Sequence, residues 1–233
     1  MDSNVVEGDR LFLIAENLAQ DFSRLPTIEA EAYGGMRGLV SRSSIARKLS
    51  ALDAMDIDTY IETVVEPAEK QARPPAPSVI QALGSIIEEE SDGPFYCATV
   101  AMDFDGEERL IGFIAQDRSI QNGTWMPQHH LAAVAFVEKC SKRAMPIVSL
   151  MDTPGAASDA EANRGNQAHS ISRLITEMSN VDVPNVGIIF GLGYSGGAIP
   201  LAASNIILSV RDGVFSTIQP KSLASIARRL NLS

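Results

Sequence analysis

The sequence predicts a mixed α/β fold that contains parallel strands. Two observations indicate this. A buried strand followed by a glycine-containing turn occurs twice, at residues 146–156 and 183–197. Residues 166–179, which lie between the two, have the spacing of apolar side chains expected for a crossover helix. Because a strand, a helix and a second strand of this size form a right-handed parallel unit, these segments predict neighbouring parallel strands.

The first part of the chain predicts helices. Leu11, Ile14, Ala15 and Leu18 recur at helical spacing, residues 43–52 repeat the pattern, and residues 56–65 predict a third helix. Residues 66–78 contain four prolines among charged and small residues, which predicts a semi-rigid, extended linker. We therefore expect a helical region at residues 1–65, a linker at 66–78 and one α/β domain at 79–233.

The remaining elements follow in order along the predicted domain. Residues 79–90 predict a helix with an acidic, solvated end at Glu88-Glu89-Glu90. Two strands at 95–104 and 109–115 are joined by Asp105-Gly106, a strong hairpin signal. The later expectations are a helix at 128–143, strands at 206–210 and 214–218, and a helix at 222–230.

Composition excludes several classes of function. With 29 acidic and 19 basic residues the net charge is −10, which disfavours binding to nucleic acid or to anionic membranes. No apolar run reaches the roughly 18 residues that a membrane span needs, and the N-terminus does not resemble a secretory signal. A cytoplasmic location is expected. Cys97 and Cys140 are too few for a cysteine-based zinc site and are expected to be buried, reduced thiols, so no metal is predicted.

Residues 191–197 satisfy more than one motif. Gly191-x-Gly193-x-x-Gly196 matches a dinucleotide-binding fingerprint, but Pro200 and the short distance to the next strand leave little room for a crossover helix. Gly193-x-Ser195-x-Gly197 matches the nucleophile elbow of an α/β hydrolase. That class needs a histidine after the serine, whereas all three histidines precede it.

A third interpretation makes the same segment an oxyanion site. Gly196 and Gly197 at a helix N-terminus would present backbone N–H groups without helical partners, in the favourable potential of the helix dipole. The alternative is that the two glycines only permit tight packing between helix and strand. The motif alone leaves both open.

A longer series of residues carries a family resemblance. It consists of Asp152-Thr153-Pro154-Gly155-Ala156, Gln167, Arg173, Glu177-Met178-Ser179, Val183-Pro184, Gly191, Gly193, Ser195-Gly196-Gly197-Ala198, Pro220 and Ala224-Ser225-Ile226. In order and spacing it resembles the carboxyltransferase alpha subunit of bacterial acetyl-CoA carboxylase. The resemblance is strong over residues 145–226 and weaker over 95–143.

The resemblance implies a crotonase-like ββα superhelix behind the N-terminal helical extension, in a domain that continues past residue 233. It implies transfer of a carboxyl group from carboxybiotin, held on a biotin carboxyl carrier protein, to the CoA thioester acetyl-CoA or a similar acyl-CoA. The expected partners are a beta-type carboxyltransferase subunit that supplies the acyl-CoA half of the site, biotin carboxylase and the carrier, in an oligomer.

The resemblance also implies roles for individual residues. The amides of Gly196 and Gly197 would be catalytic, because they would stabilise negative charge on the ureido oxygen of biotin. Five residues would form the substrate-binding part of the site: Gly155, Ala156, Gly193, Tyr194 and Ser195.

Two other functions fit the same residues: a non-catalytic scaffold for assembly, and a biotin-independent acyl-CoA decarboxylase or hydratase. Three side chains have simpler expected roles. His129 and His130 start a helix and are expected to be partly solvated. Asp152 is expected to cap its own turn through its carboxylate.

Overall fold

The computed structural model describes residues 55–210 and 212–230. The helices predicted around Leu11 to Leu18 and at residues 43–52 lie outside the described residues. The chain divides into two compact units, residues 1–60 and 61–233. In the first unit the described residues form one short helix, α1 (Ile57–Tyr60), whose first turn is held by Asp56 Oδ1 accepting from the Thr59 amide at 2.9 Å.

The second unit contains a seven-stranded sheet. Its strands are β1 (Ser85–Asp92), β2 (Phe95–Phe104), β3 (Glu107–Gln116), β4 (Ile147–Thr153), β5 (Asn185–Tyr194), β6 (Ile206–Ser209) and β7 (Val214–Ser216). The order is β1-β2-β3-β4-β5-β6, and β7 pairs with the end of β5. Strand β2 is antiparallel to both of its neighbours, β1 and β3, whereas β3 to β6 run parallel.

Helices connect and cover these strands. They are a π-helical turn (Ile61–Val65), α2 (Glu66–Lys70), α3 (Ala76–Gln81), a 3₁₀ turn (Gln121–Gly123), α4 (Pro127–Lys142), α5 (Ala160–Arg164), α6 (Gln167–Asn180), α7 (Ser195–Ala202) and α8 (Pro220–Arg229). Within the described residues, no helix is both long enough and apolar enough to cross a membrane.

The centre of the sheet is buried on both faces. Along β2, Phe95 and Cys97 pack into a cluster with residues of α4, α6 and β4, whereas Tyr96, Ala98 and Val100 pack with α3 on the opposite face. A strand buried on both faces is apolar without alternation. This is why β2 is an almost continuous apolar run in the sequence.

Most of the predicted elements are confirmed. The hairpin between β2 and β3 turns at Asp105 and Gly106, which have φ of 55° and 86°, as a type I′ turn requires. Helices α4 and α6 and strands β4 and β5 lie within a few residues of their predicted positions, and β4 and β5 are parallel neighbours. Strand β5, however, continues through residues 191–194, which were expected to form a turn.

The helix predicted at residues 79–90 is wrong. Helix α3 ends at Gln81, and the acidic segment forms strand β1 on the edge of β2. Intrinsic helix preference of the glutamates is outweighed by pairing with β2. The glutamates are not a solvated helix end either: Glu88 pairs with Lys139 and Arg143, and Glu89 accepts from the Tyr96 hydroxyl at 2.7 Å.

The predicted linker at residues 66–78 is not extended throughout. It contains α2 and the first residues of α3, and each of these helices has a proline in its first turn. Proline fits there because the N–H it lacks would have no helical partner. The division of the chain into domains at residues 65 and 79 stays a prediction.

Candidate functional site

Two turns meet at the carboxyl ends of β4 and β5. Residues 154–156 follow β4, and β5 leads directly into α7 at Ser195. A Cβ at position 197 would lie 2.6 Å from the Gly155 carbonyl carbon and 2.8 Å from the Ala156 nitrogen. Only glycine allows this approach. The structure therefore brings together five of the predicted site residues: Gly155, Ala156, Ser195, Gly196 and Gly197.

The turn after β4 is held by its own threonine. The Thr153 hydroxyl donates to the Gly155 carbonyl at 2.9 Å, and its oxygen accepts from the Gly155 amide at 3.2 Å. Two residues further on, the Ala157 amide donates to the carbonyl of Trp125 at 3.1 Å. The backbone between Thr153 and Ala157 is thus fixed at both ends.

Asp152 does not cap this turn, contrary to expectation. Its buried Oδ1 accepts from the Leu192 amide of β5 at 2.9 Å and lies 3.3 Å from Arg118 Nη1. The register explains this contact, because β4 pairs Met151 with Ile189 but Thr153 with Gly193, which leaves two extra residues in β5. The Asp152 carboxylate fills this bulge in place of a backbone acceptor.

The bulge also accounts for the first glycine of the predicted fingerprint. A Cβ at Gly191 would lie 2.3 Å from Asp152 Oδ1, so the carboxylate needs a glycine opposite it. Residues 191–194 are strand residues and do not form a phosphate-binding loop before a helix. The dinucleotide-binding interpretation does not fit this geometry.

The second turn has an exposed, uncapped helix start. Ser195 is exposed and has φ of 54°, and Tyr194 at the N-cap position provides no side-chain cap for α7. The first amides of a helix have no partner within it, and the helix dipole adds positive potential there. The Gly196 and Gly197 amides belong to this first turn, next to the Gly155–Ala156 turn.

The interpretation as an α/β hydrolase requires a histidine base bonded to Ser195, and the described residues do not provide one. His129 and His130 use ring nitrogens toward Met126, and within the described part of the chain no imidazole hydrogen-bonds the Ser195 hydroxyl. The φ of Ser195 resembles that of a nucleophile elbow, but no imidazole of the described residues is bonded to the hydroxyl to take its proton.

Gly193 and Tyr194 lie apart from the surface of the two turns. The Tyr194 side chain is fully buried with Ala68, Leu192 and Val214. Gly193 faces Phe215 of β7, whose ring carbon would lie 2.8 Å from a Cβ at that position. The substrate-binding roles of both residues stay predictions.

Two buried side chains that the sequence analysis did not assign to the site lie against the helix start. Gln116 Nε2 donates to the Gly197 carbonyl at 2.7 Å. His130 lies against the backbone of Gly196, and its ring packs edge-on against Trp125 with 5.4 Å between centroids. In a helix the Gly196 carbonyl would accept from residue 200, but Pro200 has no N–H to donate.

The two histidines are buried, so the expectation of partial solvation is wrong. His129 Nδ1 accepts from the Met126 amide at 3.0 Å, and Nε2 lies 3.4 Å from Asp92 Oδ2. Burial lowers the pKa of both imidazoles, and that of His130 falls to about 4. His130 is therefore neutral near pH 7.

Cavities lie at the two ends of the turn after β4. One of about 560 Å³ reaches Ala157 and is lined on its other side by His129, Asp92, Asp159 and Glu161. A smaller one of about 180 Å³ lies under Gln116, Arg118 and Asp152. Within residues 55–210 and 212–230, no group of three or more histidine, cysteine, aspartate or glutamate side chains is arranged to hold a metal ion.

Comparison with known proteins agrees with these features. Residues 114–231, just over half of the chain, match the family described as acetyl co-enzyme A carboxylase carboxyltransferase-like. The chain is 34% identical over 125 residues to the acetyl-coenzyme A carboxylase carboxyl transferase subunit alpha of Rhodopseudomonas palustris and 38% identical over 107 residues to that of Paramagnetospirillum magneticum. The matches cover 53% and 46% of this chain but only 38% and 34% of those proteins.

Solved structures show the same fold. The chain resembles one chain of a malonate decarboxylase hetero-dimer from Pseudomonas, with a TM-score of 0.55 and 17% identity over 69% of this chain and 71% of that one. It also resembles a single-chain, multi-domain long-chain acyl-CoA carboxylase, with a TM-score of 0.55 and 20% identity over 76% of this chain and 18% of that one. The predicted α/β, crotonase-like carboxyltransferase fold is confirmed.

The matched residues 114–231 include β4, β5, α7 and both turns. The resemblance inferred from Asp152 to Ala156 and from Gly191 to Ala198 is thereby confirmed. The chain belongs to the acetyl-CoA carboxylase carboxyltransferase family and carries a carboxyltransferase-like domain of the type found in biotin-dependent acyl-CoA carboxylases.

Proposed function

We propose that this chain supplies the biotin half of a carboxyltransferase site, in which a carboxyl group moves from carboxybiotin to acetyl-CoA or a similar acyl-CoA. The observation that carries the proposal is the contact between the two turns, where Gly197 of α7 packs against the backbone of Gly155 and Ala156. This contact places uncapped helix amides beside a second rigid turn.

Such a site needs amide donors more than it needs acids and bases. Carboxybiotin supplies the activated carboxyl group, and loss of that group leaves negative charge on the ureido oxygen. The Gly196 and Gly197 amides lie in the first turn of α7, where the helix holds them in place and leaves them without helical partners. Gly155 and Ala156 are half-buried beside them and can border the ring of the bound cofactor.

The acyl-CoA half of the site is proposed to come from a beta-type carboxyltransferase subunit, with a biotin carboxyl carrier protein and biotin carboxylase as further partners. Exposed apolar side chains support association with other proteins. Ile206, Ile207 and Leu208 of β6 are exposed by 47%, 49% and 44%. Because successive strand residues point to opposite faces, β6 at the edge of the sheet exposes apolar side chains on both sides, which is typical of a surface that another chain covers.

The test is malonyl-CoA decarboxylation by the full-length protein co-expressed with the beta-type subunit of its own organism, with and without biotin. Release of acetyl-CoA that depends on biotin would support the proposal. Turnover without biotin would favour a decarboxylase instead. No turnover from an assembled complex that binds CoA would favour a scaffold and contradict the proposed activity.

Two glycine variants test the assigned amides in the same assay. Gly197→Ala places a methyl group 2.6–2.8 Å from backbone atoms of the facing turn and must push the turns apart. Because the displaced turns no longer hold the amides in position, we expect turnover to fall by about 10²–10³, as much as the loss of one oxyanion donor typically costs.

Gly196→Ala is the matched control. Its methyl group meets only the flexible end of Ile171 at 3.0 Å and Ala156 Cβ at 4.0 Å, and the amide is kept. We expect turnover within about tenfold of the parent, because the donor geometry persists. If the two variants were equally active and had equal melting temperatures, this result would contradict the role proposed for the contact between the turns.

A further inference from the structure

Gln116 is the last residue of β3, and its side chain is fully buried. The two ends of its amide bind two different segments. Nε2 donates to the Gly197 carbonyl in α7 at 2.7 Å, and Oε1 accepts from the Asp152 amide at the end of β4 at 3.2 Å. The Gln116 side chain therefore bridges the end of β4, which leads into one turn, and the first turn of α7.

The two glycines of α7 have no side chains with which to hold themselves in place. Glycine has the freest backbone of all residues, so a consecutive pair stays ordered only if other groups fix its peptide planes. The bond from Gln116 fixes the peptide plane that follows Gly197. At its other end, Gln116 is attached to a rigid point, because the Asp152 carboxylate is itself bound to the Leu192 amide.

We propose that Gln116 is a positioning residue that holds the turn after β4 and the first turn of α7 at one fixed separation, so that the Gly196 and Gly197 amides stay in place beside the Gly155–Ala156 turn. This inference rests on the proposed function and extends it to a residue of β3. Both hydrogen bonds are buried, so their loss leaves polar groups of the two segments unpaired at the turns.

Two substitutions of Gln116 distinguish the contributions of its two hydrogen bonds. Gln116→Met keeps the approximate volume and removes both. Gln116→Glu keeps an acceptor for the Asp152 amide, but an ionised carboxylate cannot donate to the Gly197 carbonyl, whereas a protonated carboxyl can. In Gln116→Met we expect kcat to fall at least tenfold at every pH, while KM for malonyl-CoA stays within twofold, since the CoA half lies on the partner.

The pH profile identifies the donor bond. In Gln116→Glu, kcat should fall as the pH rises through a new ionisation that the parent lacks, and it should recover as the pH is lowered. If Gln116 only stabilised the fold, kcat of Gln116→Met and kcat of Gln116→Glu would vary with pH in parallel. Parallel profiles, or a parental kcat in Gln116→Met, would overturn the inference.

Hydrogen–deuterium exchange of the same full-length variants gives a readout that needs no activity. In Gln116→Met the peptides covering residues 154–158 and 195–199 should both exchange faster than in the parent, while those covering 147–150 should not change. If the parent transfers no carboxyl group but both peptides respond, the proposed function fails and the positioning role stands. If neither peptide responds, the positioning role fails whatever the activity.

Asn185→Leu is the matched control. Asn185 is a second buried amide with bonds at both ends, donating to the Met178 carbonyl at 2.9 Å and accepting from the Asn205 amide, but it lies at the opposite end of β5. Its loss should lower the melting temperature without changing kcat or the exchange of residues 154–158. A fall in kcat equal to that of Gln116→Met would show that general loosening explains both, and would contradict the inference.

Discussion

At the residue scale, His130 is a fully buried, neutral imidazole. Its Nδ1 lies 3.2 Å from the Met126 carbonyl, its opposite edge faces Gly196, and its ring packs on Trp125. Burial lowers its pKa to about 4, from an ordinary value near 6.5. The folded protein therefore resists protonating this side chain, and stability must depend on pH.

The direction of this pH dependence follows from the linkage between proton binding and unfolding. Because the folded-state pKa is depressed, the unfolded chain binds the proton first as the pH falls below about 6.5, and stability is lost progressively down to about pH 4. Replacing His130 with Phe keeps an aromatic ring against Trp125 and removes the ionisation. Between pH 7 and 5 the parent should lose about 2 kcal/mol of unfolding free energy that His130→Phe does not lose.

Urea unfolding of parent and variant at pH 7, 6 and 5 measures this difference. The contribution of His129, whose pKa is also lowered by burial, is common to both proteins and cancels. If the two proteins lost stability in parallel over this range, His130 would have to be solvated or already charged in the folded state.

Residues such as His130 and Gln116 mark the limit of what the sequence predicts about the site. Gly155, Ala156, Gly196 and Gly197 could be found, because each stands in a short motif after a recognisable strand. Gln116 binds Gly197, 81 positions away, and nothing local in β3 distinguishes it from another strand residue. The supporting side chains depend on how distant segments are brought together, and local patterns do not contain that information.

At the scale of elements, the contact of β3 with α4 depends on one small residue. A Cβ at Gly112 would lie 2.4 Å from Cys140 Sγ and 3.2 Å from a ring carbon of Phe136. Helix α4 therefore packs on β3 at a distance that only glycine permits. The apolar pattern of α4 predicted the helix, but it does not reveal this distance.

Substituting both sides of this contact tests it. Gly112→Ala alone should destabilise the fold by about 1–3 kcal/mol, because the added methyl overpacks the interface. Cys140→Ala removes the sulfur that the methyl would meet, so the double variant should recover at least half of that loss. A double-mutant cycle in urea measures the coupling. Strictly additive losses would show that the methyl group is accommodated elsewhere.

Strand β1 shows why some elements could not be predicted. Ile86, Ile87 and three glutamates fit a helix as well as a strand, and local preference favours the helix. The choice is made by β2, which offers a free edge, and by Lys139 and Arg143 of the α4 region, which pair with Glu88. By contrast, β4 and β5 are apolar runs that end at glycine turns, and their strand character is evident locally.

At the scale of the whole second unit, the two thiols report on the integrity of the core. Cys97 on β2 and Cys140 on α4 are the only cysteines of the chain, and both are free and buried in one cluster that reaches across β4 to α6 and α7. Burial raises the pKa of each thiol to about 12, so the reactive thiolate is scarce at neutral pH.

We therefore expect an aromatic disulfide reagent to label neither thiol of the native protein at pH 7.5 on the time scale on which it labels the unfolded chain. With increasing urea, labelling should accelerate together with the loss of the circular dichroism signal, because both follow opening of the same cluster. Labelling of either thiol at the unfolded rate in native buffer would contradict the packing of α4 on the sheet.

The bulge in β5 limits the insertions and deletions that this segment of the chain can accept. The two extra residues opposite Asp152 are an even number, so side chains before and after the bulge keep the same alternation between the faces of the sheet. Deletion of one residue at 190–192 would exchange the faces and move Tyr194 out of its buried cluster, whereas deletion of two would not. Natural variation in this segment should therefore occur in steps of two residues.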